Sequence, residues 1–154
     1  MRAKQLGGLT IIIAFAGMAL VGFARPGQSE DKKANSAEHH KMMLECAKAC
    51  SDCQRMCDQC STHCAHKLQE GMKNHMATLM SCQDCATVCA AASEMVSRGG
   101  PYSHAICVTC MDVCGKCAAE CEKFLDDKMM KACAEECRKC EKACQTMVKH
   151  TIGK

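Results

Sequence analysis

Eighteen cysteines dominate the chemistry that this 154-residue chain can do. They fall in four groups: Cys46, Cys50, Cys53, Cys57, Cys60 and Cys64; Cys82, Cys85 and Cys89; Cys107, Cys110, Cys114, Cys117 and Cys121; and Cys133, Cys137, Cys140 and Cys144. Within a group, each of the fourteen intervals between neighbouring cysteines is three or four residues. The unit Cys-x3-Cys-x2-Cys-x3-Cys occurs at 46–57, 53–64, 110–121 and 133–144. Side chains three and four apart share one face of an α-helix. Each group is therefore a stripe of thiols along one helix.

The elements that must carry these stripes are legible around them. From Ser36 onward the chain is rich in Ala, Glu, Lys, Gln and Met, which are good helix formers. No run alternates in the manner of a strand. Breaks fall at Gly71, at Ser97-Arg98-Gly99-Gly100-Pro101 and at Leu125-Asp126-Asp127, where an Asp can cap the following helix. Helices are predicted over about 36–69, 72–97, 103–125 and 127–150. Short links between long helices predict an all-α fold, an antiparallel four-helix bundle. The cysteines take the seam where Leu and Ile ordinarily sit, with charged residues such as Glu135-Glu136 and Arg138-Lys139 between them. The core should be lined with sulfur.

Such a lining admits several chemistries. Cys is a small, often buried hydrophobe, but eighteen of them bury little apolar area compared with Leu. A disulfide-bonded helical structural protein would need bridges between helices, because Cβ atoms at i, i+3 and i+4 lie about 5–6 Å apart and a bridge wants about 3.8 Å. Zinc takes four ligands, so all-cysteine sites would each carry two negative charges into the core, at high desolvation cost. A general soft-metal or zinc sequestering protein is thus an alternative with an electrostatic penalty. Cu(I) is soft, binds thiolates and tolerates low coordination number. One Cu(I) replacing one thiol proton leaves the core neutral. An empty core of thiols is neutral too, so the bundle can fold first and fill later, unlike a zinc finger. The Cys-Pro run of iron–sulfur ligation and the Cys-x-x-Cys-His of c-type haem are both missing. The Cys-x-x-Cys pairs lack a βαβ setting, and no single thiol stands out as a redox or catalytic nucleophile, so the chain does not read as an enzyme.

Antiparallel threading brings His39, Met43, His104 and Met147 to one end of the bundle, with Met42, Met95 and His150 near them. His39 and Met43 continue the cysteine stripe backward by the same 4, 3 spacing, and Met147 follows Cys144 by three. Thioether and imidazole bind Cu(I) without losing a proton at neutral pH. These four residues are candidate ligands at a mouth. The other end holds Met72, His75, Met76, Met129 and Met130, with Phe124 and Leu68 placed to plug it.

Twenty basic residues oppose seventeen acidic ones, and the two signs are interleaved, which excludes a phosphate-neutralising nucleic-acid binder. The aromatic content is three Phe, one Tyr and no Trp. Residues 1–24 have the layout of a secretory signal peptide: Arg2 and Lys4, an uncharged run from Leu6, and Gly22 and Ala24 at the −3 and −1 positions of a cleavage site. They predict export to a periplasmic or extracellular space, with no membrane attachment after cleavage. Residues 25–35 read as a flexible, polar lead-in, and 36–154 as the metal-binding bundle.

In these stripes the sequence resembles the bacterial copper storage proteins, a cysteine-rich family of four-helix bundles, over nearly all of 36–150. The resemblance implies a store of many Cu(I) ions along the core, held mostly by cysteine pairs, with Met and His near an open end. It implies that the ligands are the eighteen cysteines, with His39, Met43, His104 and Met147 at the mouth. It also implies a homo-oligomer that holds copper for an exported copper enzyme or carrier, or for detoxification. No twin-Arg motif is present, a departure from exported members of the family.

Overall fold

The computed structural model describes the backbone of residues 27–152 and the side chains of residues 35–150. The expected signal segment, 1–24, lies outside the described residues. Four helices follow in order: α1 (Gly27–Gln69), α2 (Met76–Ser97), α3 (Ser103–Cys121) and α4 (Lys128–Ile152). No strand occurs among the described residues. Each helix packs on its sequence neighbours, and α4 closes the ring against α1. The expected antiparallel four-helix bundle is what forms.

Two helices end on the same backbone device. Gly71 adopts φ 89° and Gly99 φ 62°. After α1, the Gly71 N–H bonds to the Leu68 carbonyl and the Met72 N–H to the Lys67 carbonyl, both at 3.0 Å. After α2, Gly99 bonds back to Val96 and Gly100 to Met95. Both are Schellman closures, which satisfy the last carbonyls and require a left-handed residue that only glycine adopts cheaply. At the third break the Asp127 carboxylate accepts from the N–H groups of Met129 (2.9 Å) and Met130 (3.3 Å), capping α4 as expected.

Three boundaries differ from the sequence expectation. The lead-in is helical from Gly27, so α1 starts nine residues before Ser36. Residues 28–34 (Gln-Ser-Glu-Asp-Lys-Lys-Ala) hold several good helix formers, and elongating an existing helix needs no new nucleus. Polarity had suggested coil; a helix with no apolar face to bury is also polar. The turn Lys73–His75 is a 3-10 helix, which delays α2 to Met76, and α3 stops at Cys121 before a second 3-10 turn, Glu122–Phe124. Short 3-10 pieces commonly tighten helix ends in this way.

All eighteen cysteines are buried, seventeen with no exposed surface and Cys46 with 1%. Ala47, Ala86, Ala92, Ala118 and Ala134 fill the spaces beside them. Ion pairs lie outside, including Lys48–Asp52 and Lys116–Asp112 within helices and Arg138–Glu122 between α4 and the turn after α3. Among the described residues no helix is long and apolar enough to cross a membrane.

Candidate metal centre

The cysteine stripes meet in a fixed antiparallel register. Along α1 and α4, Cys46 faces Cys144, Cys50 faces Cys144 and Cys140, Cys53 faces Cys137, and Cys57 faces Cys137 and Cys133. Their Sγ–Sγ distances are 3.6–4.0 Å. Along α2 and α3, Cys82 meets Cys117 and Cys121, Cys85 meets Cys114, and Cys89 meets Cys110 and Cys114. Sulfurs also touch across the diagonal of the bundle. Cys46 lies 3.8 Å from Cys107, Cys50 3.9 Å from Cys110, and Cys53 3.9 Å from Cys114. Only a small side chain permits that approach; opposed Leu residues would fill the space before their tips met. The short cysteine side chain thus sets the narrowness of the core.

All eighteen thiols are free. The shortest thiol–thiol separation among the hydrogen-bonded pairs, Cys89 to Cys114, is 3.5 Å, well beyond the roughly 2.05 Å of a disulfide. Two sulfurs each about 2.3 Å from a shared ion lie between about 3.8 Å and about 4.6 Å apart, so a contact of this kind widens by about 1 Å or less to admit one. Several buried four-thiol groups have all their sulfurs within 4.8 Å of one another: Cys50, Cys110, Cys140 and Cys144; Cys53, Cys85, Cys89 and Cys114; Cys53, Cys57, Cys85 and Cys137; and Cys60, Cys82, Cys121 and Cys133. Cys53 and Cys85 belong to two of these groups, and the contacts Cys110–Cys114 (3.8 Å) and Cys57–Cys133 (4.0 Å) tie in the other two, so the groups form one continuous ladder.

The thiols hydrogen-bond to one another, and in most pairs either sulfur can be the donor. Cys46 is held well below the ordinary thiol value by its contacts with Cys107, Cys144 and Cys50, against burial. Cys144 is pushed far up, first by its contact with Cys107. At Cys107 the Cys144 contact pulls down, while the Cys46 contact and burial push the thiol up to about 12. Cys85 is lowered to about 7, first by Cys114. At Cys133 the Cys117 contact pushes up, but Cys121, Cys137 and Cys57 outweigh it and bring the thiol to about 6. A thiol surrounded by S–H donors carries a thiolate readily, while its donors stay protonated. An incoming cation can displace these protons to solvent thiol by thiol.

The sequence chemistry, the sulfur ladder and the fold agree with a family assignment. The sequence model of the copper storage proteins matches residues 31–149. The chain belongs to the copper storage protein family. It is 34% identical over 106 residues to the uncharacterised cysteine-rich protein YhjQ of Bacillus subtilis, covering 68% of this chain and 87% of that one. Among solved structures it is similar to a cytosolic copper storage protein from Streptomyces lividans carrying five coppers. That match has a TM-score of 0.68 and 28% identity, and covers 73% of this chain and 97% of the other. It is also similar to the Cu(I)-bound copper storage protein BsCsp3, with TM-score 0.61 and 32% identity over 67% of this chain and 94% of that one. Copper storage is thus the function of this family member, and copper ions are its cargo.

The mouth of this copper storage protein is a pocket of about 480 Å³ lined by His39, Met43, His104 and Met147, the four residues expected there. Ser36, His40, Ser103 and the loop Ser97–Pro101 complete it. Met43 and Met147 are buried, each three residues beyond the Cys46–Cys144 contact on its helix. His104 presents a buried Nε2 with no hydrogen-bond partner among the described residues. Met42, Met95 and His150 do not line the pocket. Sequence reasoning missed His40, which sits beside His39 off the stripe; no periodic signal marks it. At the opposite end Phe124 stacks on the buried His75 ring, with centroids 4.3 Å apart, beside a pocket lined by Lys67, Met72 and Asp127. His63 and Asp127 hydrogen-bond there at 2.7 Å, pinning α1 to the start of α4.

Proposed function

We propose that the eighteen cysteines are the ligands of the copper store and that the mouth is its route of filling. His39, Met43, His104 and Met147 would take up Cu(I) without proton release and hand it inward to Cys46, Cys107 and Cys144. The supporting observation is the burial of all eighteen thiols, sixteen of which have another thiol sulfur at 3.5–4.0 Å. Thiolates shared between ions let a ladder of this kind hold more copper than isolated sites would. Titrating the reduced protein with Cu(I) against a competing chelator should saturate near or above one ion per two cysteines. Saturation at one or two ions per chain refutes the assignment.

The layout of residues 1–24 supports work outside the cytoplasm, as a store for exported copper enzymes or carriers or as a sink against excess copper, with cleavage after Ala24. The family relationship supports a homo-oligomer. Protein taken from the exported fraction should begin at Arg25 and carry copper; recovery only from the cytosol with Met1 retained refutes export.

A further inference from the structure

We propose that Met130 is a copper ligand, forming with Cys60 a mixed thioether–thiolate site at the end of the bundle opposite the mouth. The inference rests on the copper-storage reading of the cysteine ladder and extends it to a residue outside the cysteines. Met130 has no exposed surface, and the Cys60 thiol donates to its Sδ at 3.5 Å. That distance equals the shortest thiol–thiol separation in the ladder. The contact is also one rung of the same register: stepping from Cys57–Cys133 by three along each helix gives Cys60–Met130, and the next step gives His63–Asp127. The α4 stripe is thus bounded by methionine at both ends, Met130 three before Cys133 and Met147 three after Cys144.

The neighbouring groups fit a site. Cys60 belongs to the four-thiol group with Cys82, Cys121 and Cys133, so an ion on Cys60 and Met130 would continue the ladder by one layer. One step beyond that group on each helix lie Cys64, Thr78, Phe124 and Met130. Thr78 is fully buried, and its Oγ1 has no hydrogen-bond partner among the described residues. A purely apolar plug would not leave a polar atom there. Asp127 caps α4 through the Met130 N–H while it is tied to His63 of α1, which fixes the thioether against Cys60. One thiolate and one thioether give Cu(I) a neutral two-coordinate site.

The test uses protein expressed from the full chain with selenomethionine in place of methionine, loaded with Cu(I). Copper loading of the unsubstituted protein comes first: loading with only one or two ions overturns the storage reading itself. X-ray absorption at the selenium edge is then measured on Met43→Leu/Met147→Leu protein, which removes the mouth thioethers. A selenium–copper shell should persist there and vanish when Met130→Leu is added. Absence of the shell, or a shell that survives Met130→Leu, overturns the proposal. Leu matches Met in volume, and unchanged helicity of the apo variants by circular dichroism shows that lost copper is not lost fold. Met130→Leu alone should also lower saturation by one ion, and unchanged saturation overturns the proposal.

Discussion

Removing one central sulfur separates what the cysteines do for packing from what they do for copper. Cys53 is fully buried and touches sulfurs on three elements: Cys57 at 4.0 Å on its own helix, Cys114 at 3.9 Å across the diagonal and Cys137 at 3.7 Å on α4. Cys53→Ala deletes one atom of about methylene size, a transfer loss of about 0.8 kcal/mol. The gap it leaves, about 25 Å³ at about 24 cal/mol per Å³, adds about 0.6 kcal/mol. The apo variant should therefore lose about 1–2 kcal/mol, or about 4–8 °C in Tm for a domain of this size. Cys53 belongs to two of the four-thiol groups, so the same variant should hold about one to two fewer Cu(I) ions. Cys53→Ser restores the volume but offers a hard hydroxyl; it should show the same copper deficit, with stability set by a buried hydroxyl at about 1–3 kcal/mol. Calorimetry of the reduced apo proteins reads the first effect, and chelator-competed Cu(I) titration reads the second. Full copper capacity in both variants would refute the ligand assignment, and an unchanged apo Tm in Cys53→Ala would refute the tight sulfur packing.

Gly99→Ala puts a side chain at φ 62° and a Cβ 3.1 Å from the Met43 Cε, at a strain of about 1–2 kcal/mol. It should lower the apo Tm and slow copper uptake in stopped-flow mixing, since Met43 must shift within the mouth. At Asp127 burial pushes the carboxyl up, but the hydrogen bonds from His63, Met130 N–H and Met129 N–H outweigh it and hold it below its ordinary value. Its stabilising effect is then present above the unfolded value, about 3.9, and is lost as pH falls through the lower folded value. Asp127→Asn keeps an N-cap, so urea melts of the apo protein should show a stability deficit at neutral pH that closes on acidification. Stripping copper with a chelator under reducing conditions should leave the helical circular dichroism intact, because the empty core is already packed sulfur against sulfur; loss of helicity on stripping would show that the metal drives folding.

The chemistry of this protein is written in one dimension. A three-or-four periodicity held through fourteen intervals can only be a helical stripe, so the helices, their inward faces and the row of sulfur donors on them are decided before any chain folds. The breaks at Gly71, Gly99 and Asp127 are equally local, because each rests on one residue's backbone preference or capping oxygen. The start of α1 is less legible, since a polar helix without a buried face and a polar coil have the same composition. Only the tertiary structure decides the register between helices, and with it which sulfurs meet. Cys53 reaches Cys114 and Cys137 because α3 and α4 arrive from 61 and 84 residues away, and no interval in the sequence encodes that meeting. The same register separates methionines that composition treats alike. Met76 and Met80 stay half exposed on the outer face of α2, whereas Met130 turns inward onto Cys60. Periodicity selects the face of a helix, but contact between faces depends on how far each helix slides against its neighbours, and that is a property of the packed bundle.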